Sequence, residues 1–291
     1  MTGADVSFVH LGISIPHMVK SFSIGGISFA YYGLIIGIGM IAGLCVAQSD
    51  AKRRGQDPDI YLDFALYGII FSIIGARIYY VFFQWAYYKD HLMEIVNLRK
   101  GGLAIYGGVI AGILTLLVFT KKRHLSFLSM ADSACLGLVT GQMIGRWGNF
   151  INCEAFGRYT DCLFAMRIRR SIVNESMISQ NLLDHLIVEN GIEYIQVHPT
   201  FLYESLWNFG LLMFMLWFRK RKTFTGEMLC IYLAGYGIGR AWIEGLRTDS
   251  LLIPGTQIAV SQALSVVLAT VSLVILIYNR RKAFVQRKEA N

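Results

Sequence analysis

Apolar positions along this chain come in long unbroken blocks, not in strict alternation and not as one-sided helical stripes. A helix needs about 20 residues to cross a hydrocarbon core at its rise of about 1.5 Å per residue. Seven blocks qualify: Phe29 to Ala47, Tyr61 to Trp85, Gly102 to Thr120, Phe127 to Gly145, Phe201 to Phe218, Gly226 to Ile243 and Ile258 to Tyr278. They predict an all-α polytopic membrane protein with seven transmembrane helices and a small external cap between helices 4 and 5. The domain plan follows: an external N-terminal segment at 1–28, helices 1–4 at 29–150, the cap at 151–197, helices 5–7 at 198–279 and a cytoplasmic basic tail at 280–291. Alternation at Val6, Phe8 and His10 fits a strand or an interfacial helix. The cap is expected to hold short strands and a helix around Ser179 to Glu189, and it closes on the turn signal Asn190-Gly191.

Composition agrees with this plan, since 55% of residues are hydrophobic and only 4 are proline. The net charge of +8 could suggest a nucleic-acid partner, but the placement of the cations argues for a membrane. Lys52 to Arg54, Lys121 to Arg123, Arg219 to Lys222 and Arg280 to Lys282 follow the first, third, fifth and seventh blocks, so they share one side. The positive-inside rule makes that side cytoplasmic, with the N-terminus outside and the C-terminus inside. No nucleic-acid partner is expected, and no cleavable signal peptide is evident. The five cysteines form no CxxC pair and no ligand-spaced His cluster accompanies them, so neither a metal nor a disulfide is expected. Glycines recur every fourth residue at Gly33/Gly37, Gly108/Gly112, Gly137/Gly141/Gly145 and Gly235/Gly239, a spacing that lets helix backbones approach.

Arginines inside apolar blocks change the picture from scaffold to chemistry. Arg77, Arg146 and Arg240 each carry a cost of roughly 2.5–3.5 kcal/mol at mid-bilayer by one scale. With the orientation above, Arg77, Arg146, Arg240, Tyr236 and Glu244 fall in the outer half of their helices, and Tyr32, Tyr106, His198, Tyr203 and Glu204 begin theirs from outside. Arg240, Glu244 and Arg247 are spaced i, i+4, i+7 and would share one helical face, with Glu244 orienting Arg240. Two fixed guanidiniums can grip a phosphate through charge-assisted hydrogen bonds, which points to an anionic phospholipid headgroup. Structural readings stand beside these: snorkelling or ion pairing for each arginine, a helix start for His198-Pro199, and the aromatic belt for Tyr32, Tyr106 and Tyr203. Asp132 with Ser129 reads as a capping box and is taken as structural.

The stretch Gly145-Arg-Trp-Gly-Asn-Phe-Ile-Asn-Cys-Glu-Ala-Phe-Gly-Arg158 resembles the signature of the bacterial prolipoprotein diacylglyceryl transferases. The similarity extends to Tyr32-Gly33, Gly75-Ala-Arg77-Ile-Tyr-Tyr80, Gly101 to Gly108, His198-Pro-Thr-Phe-Leu-Tyr-Glu204, and Gly235 to Arg240 with Glu244 and Arg247. It implies an enzyme of the bacterial cytoplasmic (inner) membrane that moves the diacylglyceryl group of phosphatidylglycerol to the lipobox cysteine thiol of a prolipoprotein signal peptide, forming a thioether and releasing glycerol phosphate. No cofactor or metal is implied. Carried over residue by residue, it makes Arg146 and Arg240 the main lipid-binding and catalytic residues, supported by Asn149, Gly157, Tyr32, Tyr236 and Glu244. Arg77, Tyr203 and Arg247 join the candidate lipid contacts. Tyr106 stands where many members have histidine. With a pKa of about 10, a tyrosine needs a large shift to act as a base near neutrality. The thiol proton acceptor stays open among His198, Glu204 and Tyr106. For Cys153, beside the signature, packing is favoured over a nucleophilic role. The alternative from another class is a lipid or anion transporter using buried arginines, which would be expected to show inverted repeats and midplane sites.

Overall fold

The computed structural model describes residues 3–98 and 101–289, so residues 1 and 2 of the expected N-terminal segment and residues 290 and 291 of the basic tail lie outside it. The order is β1 (Val6–Phe8), β2 (Ile13–Ile15), β3 (Ser21–Ile24), β4 (Ile27–Ala30), α1 (Tyr31–Arg53), α2 (Asp59–Phe83), α3 (Trp85–Tyr88), α4 (Ile105–Lys122) and α5 (Phe127–Asn152). There follow β5 (Met166–Arg169), α6 (Gln180–Leu183), β6 (Ile187–Glu189), β7 (Ile192–Val197), α7 (Thr200–Phe218), α8 (Glu227–Glu244) and α9 (Val260–Glu289). Two compact units divide the chain, one of Met1–Gly43 with Cys135–Asn291 and the other of Leu44–Ala134.

Every apolar block is a helix, but among the described residues six, not seven, are long and apolar enough to cross a membrane: α1, α2, α4, α5, α7 and α9. The exception is α8, which is as long as α4 but carries Glu227, Arg240 and Glu244 in its 18 residues. Buried ionisable groups need partners from neighbours, and Glu227, fully buried, pairs with Arg280 of α9 while accepting from Thr223 N at 2.5 Å. Small residues let these helices close up. A Cβ at Gly237 would fall 2.7 Å from Ser265 O on α9, and one at Gly43 of α1 2.5 Å from Gly137 O on α5. Gly33 and Gly37 do not serve this purpose, since a Cβ at either meets nothing within 4 Å.

The N-terminal segment and the cap are one structure. Strands run in the order β2-β1-β5-β7-β6, all antiparallel, so β1 from the N-terminus pairs β5 of the cap with Val6 opposite Ile168 and Phe8 opposite Met166. Alternation dictates the face: Val6, Phe8, Met166 and Ile168 are buried, joining Cys153 and Phe156 beyond α5 and Phe201 at the start of α7 in a single core. The helix expected around Ser179 to Glu189 is only the four residues of α6. Asn190 and Gly191 both take positive φ (53° and 77°), the two-residue turn that pairs β6 with β7 and leaves Ile187 to Glu189 as a strand. A second hairpin, β3–β4, turns at Gly25-Gly26 (φ 59° and 82°) and leads directly into α1.

Candidate active site

Three helices of the larger unit supply one ionic array. Arg146 lies near the C-terminal end of α5, Glu204 one turn into α7 and Arg240 one turn before the end of α8. Glu204 pairs with Arg146 through one carboxylate oxygen and with Arg240 through the other. Arg240 in turn pairs with Glu244, its i+4 neighbour. Helix α8 ends at Glu244, so Arg247 is not on the helical face expected for it. It sits in the following turn, with Nε 4.0 Å from Glu244 and two bonds, 2.9 and 2.8 Å, to Asp249. Arginines and carboxylates thus alternate as Arg146, Glu204, Arg240, Glu244, Arg247, Asp249. By side chain, the two helical carboxylates are 5% and 4% exposed, against 20%, 15% and 12% for the three arginines and 26% for Asp249, so Glu204 and Glu244 are the covered members of the array. Fixed guanidinium edges of this kind suit a phosphate better than lysine would.

The ends of the helices explain how the array is held. Asn149 Oδ1 accepts from Arg146 at 3.4 Å while its Nδ2 donates to Glu154 at 2.9 Å, which folds the chain back over the end of α5. Cys153 and Ala155, both non-glycine residues at positive φ (54° and 56°), complete that reversal. Gly157 then passes between two strands of backbone: its N–H donates to His198 O at 3.0 Å, it bridges to Arg247, and a Cβ there would fall 2.7 Å from His198 Cβ and 2.9 Å from Leu246 O. Tyr32 packs its ring on Gly148, where a Cβ would stand 2.8 Å away. One turn inward from Arg240, Tyr236 stacks on Tyr232 at 5.7 Å, and Tyr232 OH accepts from Gln142 of α5 at 2.8 Å.

His198 immediately precedes the N-cap Pro199 of α7. Its Nδ1 lies 3.2 Å from Tyr203 OH, which also contacts Cys162 Sγ at 3.4 Å. Burial, helped by the charge of Arg158, holds the imidazole below its ordinary pKa, so it is neutral at pH 7. Burial pushes the Cys153 thiol up to about 11. The thiol is protonated and packed in the sheet core, which fits packing and not nucleophilic attack.

Arg77 and Tyr106 belong to the other unit. Arg77 is buried, and it donates to Ile95 O (2.8 Å), Gly101 O (2.8 Å), Gly102 O (2.9 Å), Glu94 O (2.6 Å) and Asn97 O (3.4 Å), with its guanidinium 5.2 Å from the Tyr88 ring. Tyr106 is half-buried in the first turn of α4. Ser129, expected to cap α5 with Asp132, lies inside the helix and accepts from Arg54 at 2.7 Å, while Ser126 Oγ takes the capping bond from Ser129 N at 3.3 Å. Asp132 is fully buried.

A family model described as prolipoprotein diacylglyceryl transferase matches residues 20–278. The chain belongs to that family. Relatives called phosphatidylglycerol–prolipoprotein diacylglyceryl transferase include one from Bacillus velezensis, 40% identical over 271 residues that cover 93% of this chain and 95% of the relative. Another, from Clostridioides difficile, is 41% identical over 239 residues, 82% and 87% of the two chains, and one from Geobacillus kaustophilus is 40% identical over 265 residues, 91% and 93%. By this membership the chain is a transferase, and the transporter reading gives way. Sequence reasoning missed Asp249, and also Ser250 and Ser261, whose hydroxyls donate to Glu244 Oε1 at 2.9 and 2.6 Å. An Asp two residues after a motif arginine was the one available signal.

Proposed function

We propose that the chain transfers the diacylglyceryl group of phosphatidylglycerol to the lipobox cysteine of a prolipoprotein, in the outer leaflet of the bacterial cytoplasmic membrane. The reading takes α8 as a seventh span, held by ion pairs where apolarity falls short, with the N-terminus and the sheet outside and the C-terminus inside. Alternating basic ends support that orientation. One observation carries the function: Glu204 ties Arg146 of α5 to Arg240 of α8, placing two guanidiniums beside each other with their carboxylates on the buried side.

In this reading the phosphate of the lipid lies across Arg146 and Arg240, with Arg247 at its edge and the acyl chains still in the bilayer. The lipobox thiolate attacks the glyceryl carbon that bears the phosphate ester, a carbon–sulfur bond forms, and the carbon–oxygen bond breaks. The electron pair leaves with glycerol phosphate. Arg146 and Arg240 stabilise charge as it grows on the departing phosphate, and their field favours the thiolate over the thiol. Glu204 has one oxygen engaged by each of two guanidiniums. His198, neutral and held by Tyr203, is the better acceptor for the thiol proton. Tyr32, Asn149, Gly157, Tyr236 and Glu244 shape and brace the lipid site. Arg77 holds the carbonyls of Glu94, Ile95, Asn97, Gly101 and Gly102, and Tyr106 enters by resemblance alone.

The test is direct. The purified chain, mixed with phosphatidylglycerol and a lipobox peptide, should add a diacylglyceryl mass to the peptide cysteine and release glycerol phosphate. An unmodified peptide, with the chain folded and lipid present, would reject the reading.

A further inference from the structure

We infer that Asp249 is a positioning residue for the proposed transfer, acting through Arg247 to set affinity for the phosphate-bearing lipid. This rests on the reading above. The three arginines of the array are not held alike. Arg146 and Arg240 project from helices and are braced by Glu204, itself buried on α7. Arg240 has further support, since Ser250 and Ser261 fix the Glu244 carboxylate that pairs with it. Arg247 lies past the end of α8, where no helix lattice restrains its long side chain, and its contact with Glu244 is a distant 4.0 Å.

Asp249 supplies what is missing. Its two oxygens take Nε and Nη2 of Arg247 at 2.9 and 2.8 Å, a two-point contact along one edge of the guanidinium that fixes its plane and leaves Nη1 outside the pair. The backbone beneath is pinned as well: Gly157 bridges to Arg247, Arg158 N donates to Leu246 O at 2.8 Å, and Arg158 Nη2 donates to Gly245 O at 2.6 Å. Burial alone would raise the Asp249 carboxyl, but the bonds and charge of Arg247 outweigh it and hold it below the usual carboxylate range, so it stays ionised. A carboxylate beside an anion site would by charge alone weaken lipid binding. A carboxylate that aims a cation strengthens it. The sign of the effect therefore separates the two roles.

The experiment uses the full chain in detergent with phosphatidylglycerol in mixed micelles and a lipobox peptide. Asp249→Asn is expected to raise KM for the lipid about 5- to 10-fold while kcat changes less than about twofold, and Asp249→Glu to recover most of the loss. In an Arg247→Gln background, Asp249→Asn should add no further change, a result that general destabilisation would not give. Should Asp249→Asn fold poorly, Asp249→Glu and the double variant still read the coupling. An unchanged or lowered KM in folded Asp249→Asn, while wild type transfers normally, would overturn this inference alone. No transfer by the wild type would overturn the underlying reading and this inference with it.

Discussion

Arg77 and the Arg146–Arg240 pair begin as the same sequence feature, an arginine inside an apolar block, and end as opposites. Arg77 faces the backbone carbonyls of Glu94, Ile95, Asn97, Gly101 and Gly102, neutral acceptors for its donors, and is 6% exposed. Arg146 and Arg240 face carboxylates whose side chains are more buried than their own. In the proposed function, a cation held by carbonyls serves to shape the chain around it. A cation backed by an acid on its inner side is braced and still has an edge to offer. The acceptor type and the direction of burial, more than the depth of the arginine, separate architecture from chemistry.

The paired arginines carry the largest expected effects. Arg146→Lys and Arg240→Lys should each lower turnover roughly 100-fold or more, because a point charge cannot reproduce two-edge contacts to a phosphate. Diacylglyceryl transfer to peptide measures this, and near wild-type turnover by either folded variant would remove that residue from the site. Glu204→Gln should destabilise the fold by about 3–5 kcal/mol, since two guanidiniums lose a buried shared partner. Thermal unfolding in detergent reads it, and an unshifted midpoint would sink the bracing role. Arg77→Met tests the other side of the contrast: it strands five carbonyl contacts, so the folded yield should fall, while turnover per folded molecule stays within about twofold of wild type. A selective loss of lipid affinity there would make Arg77 a substrate contact after all.

A smaller effect concerns pH. Because the folded-state pKa of His198 is depressed, the unfolded chain takes up its proton first as pH falls through the ordinary imidazole value of about 6.5, and stability declines there. His198→Gln should flatten that acid decline in unfolding midpoint, and should lower transfer by roughly 100-fold at pH 7 if the imidazole accepts the thiol proton. The mildest test is chemical. Burial opposes ionisation of Cys162, but hydrogen bonds from Tyr203 and Thr160 outweigh it and lower its pKa, whereas Cys153 is raised to about 11. Alkylation of the native chain should therefore mark Cys162 well ahead of Cys153, and equal rates would contradict the sealed sheet core.

Residue patterns alone were enough for the helical blocks, the residue types at Arg146, Glu204, Arg240 and Glu244, and the family. Long apolar blocks leave a chain in lipid no choice but to bond its backbone internally, and arginine, glutamate and histidine are rare enough in such blocks to announce themselves. Asn190-Gly191 announced a turn for a similarly local reason, though not the strand Ile187–Glu189 that precedes it. The rest required contacts that no local rule encodes. That β1 pairs β5 across more than 150 residues, that Glu204 serves two arginines at once, and that Asp249 holds Arg247 are facts of register and approach. Arg77 and Arg146 differ only in what the fold brings to meet them. Sequence states which groups must find partners; only tertiary packing decides which partners are found, because satisfying a buried charge depends on distance and direction, and both belong to the folded chain.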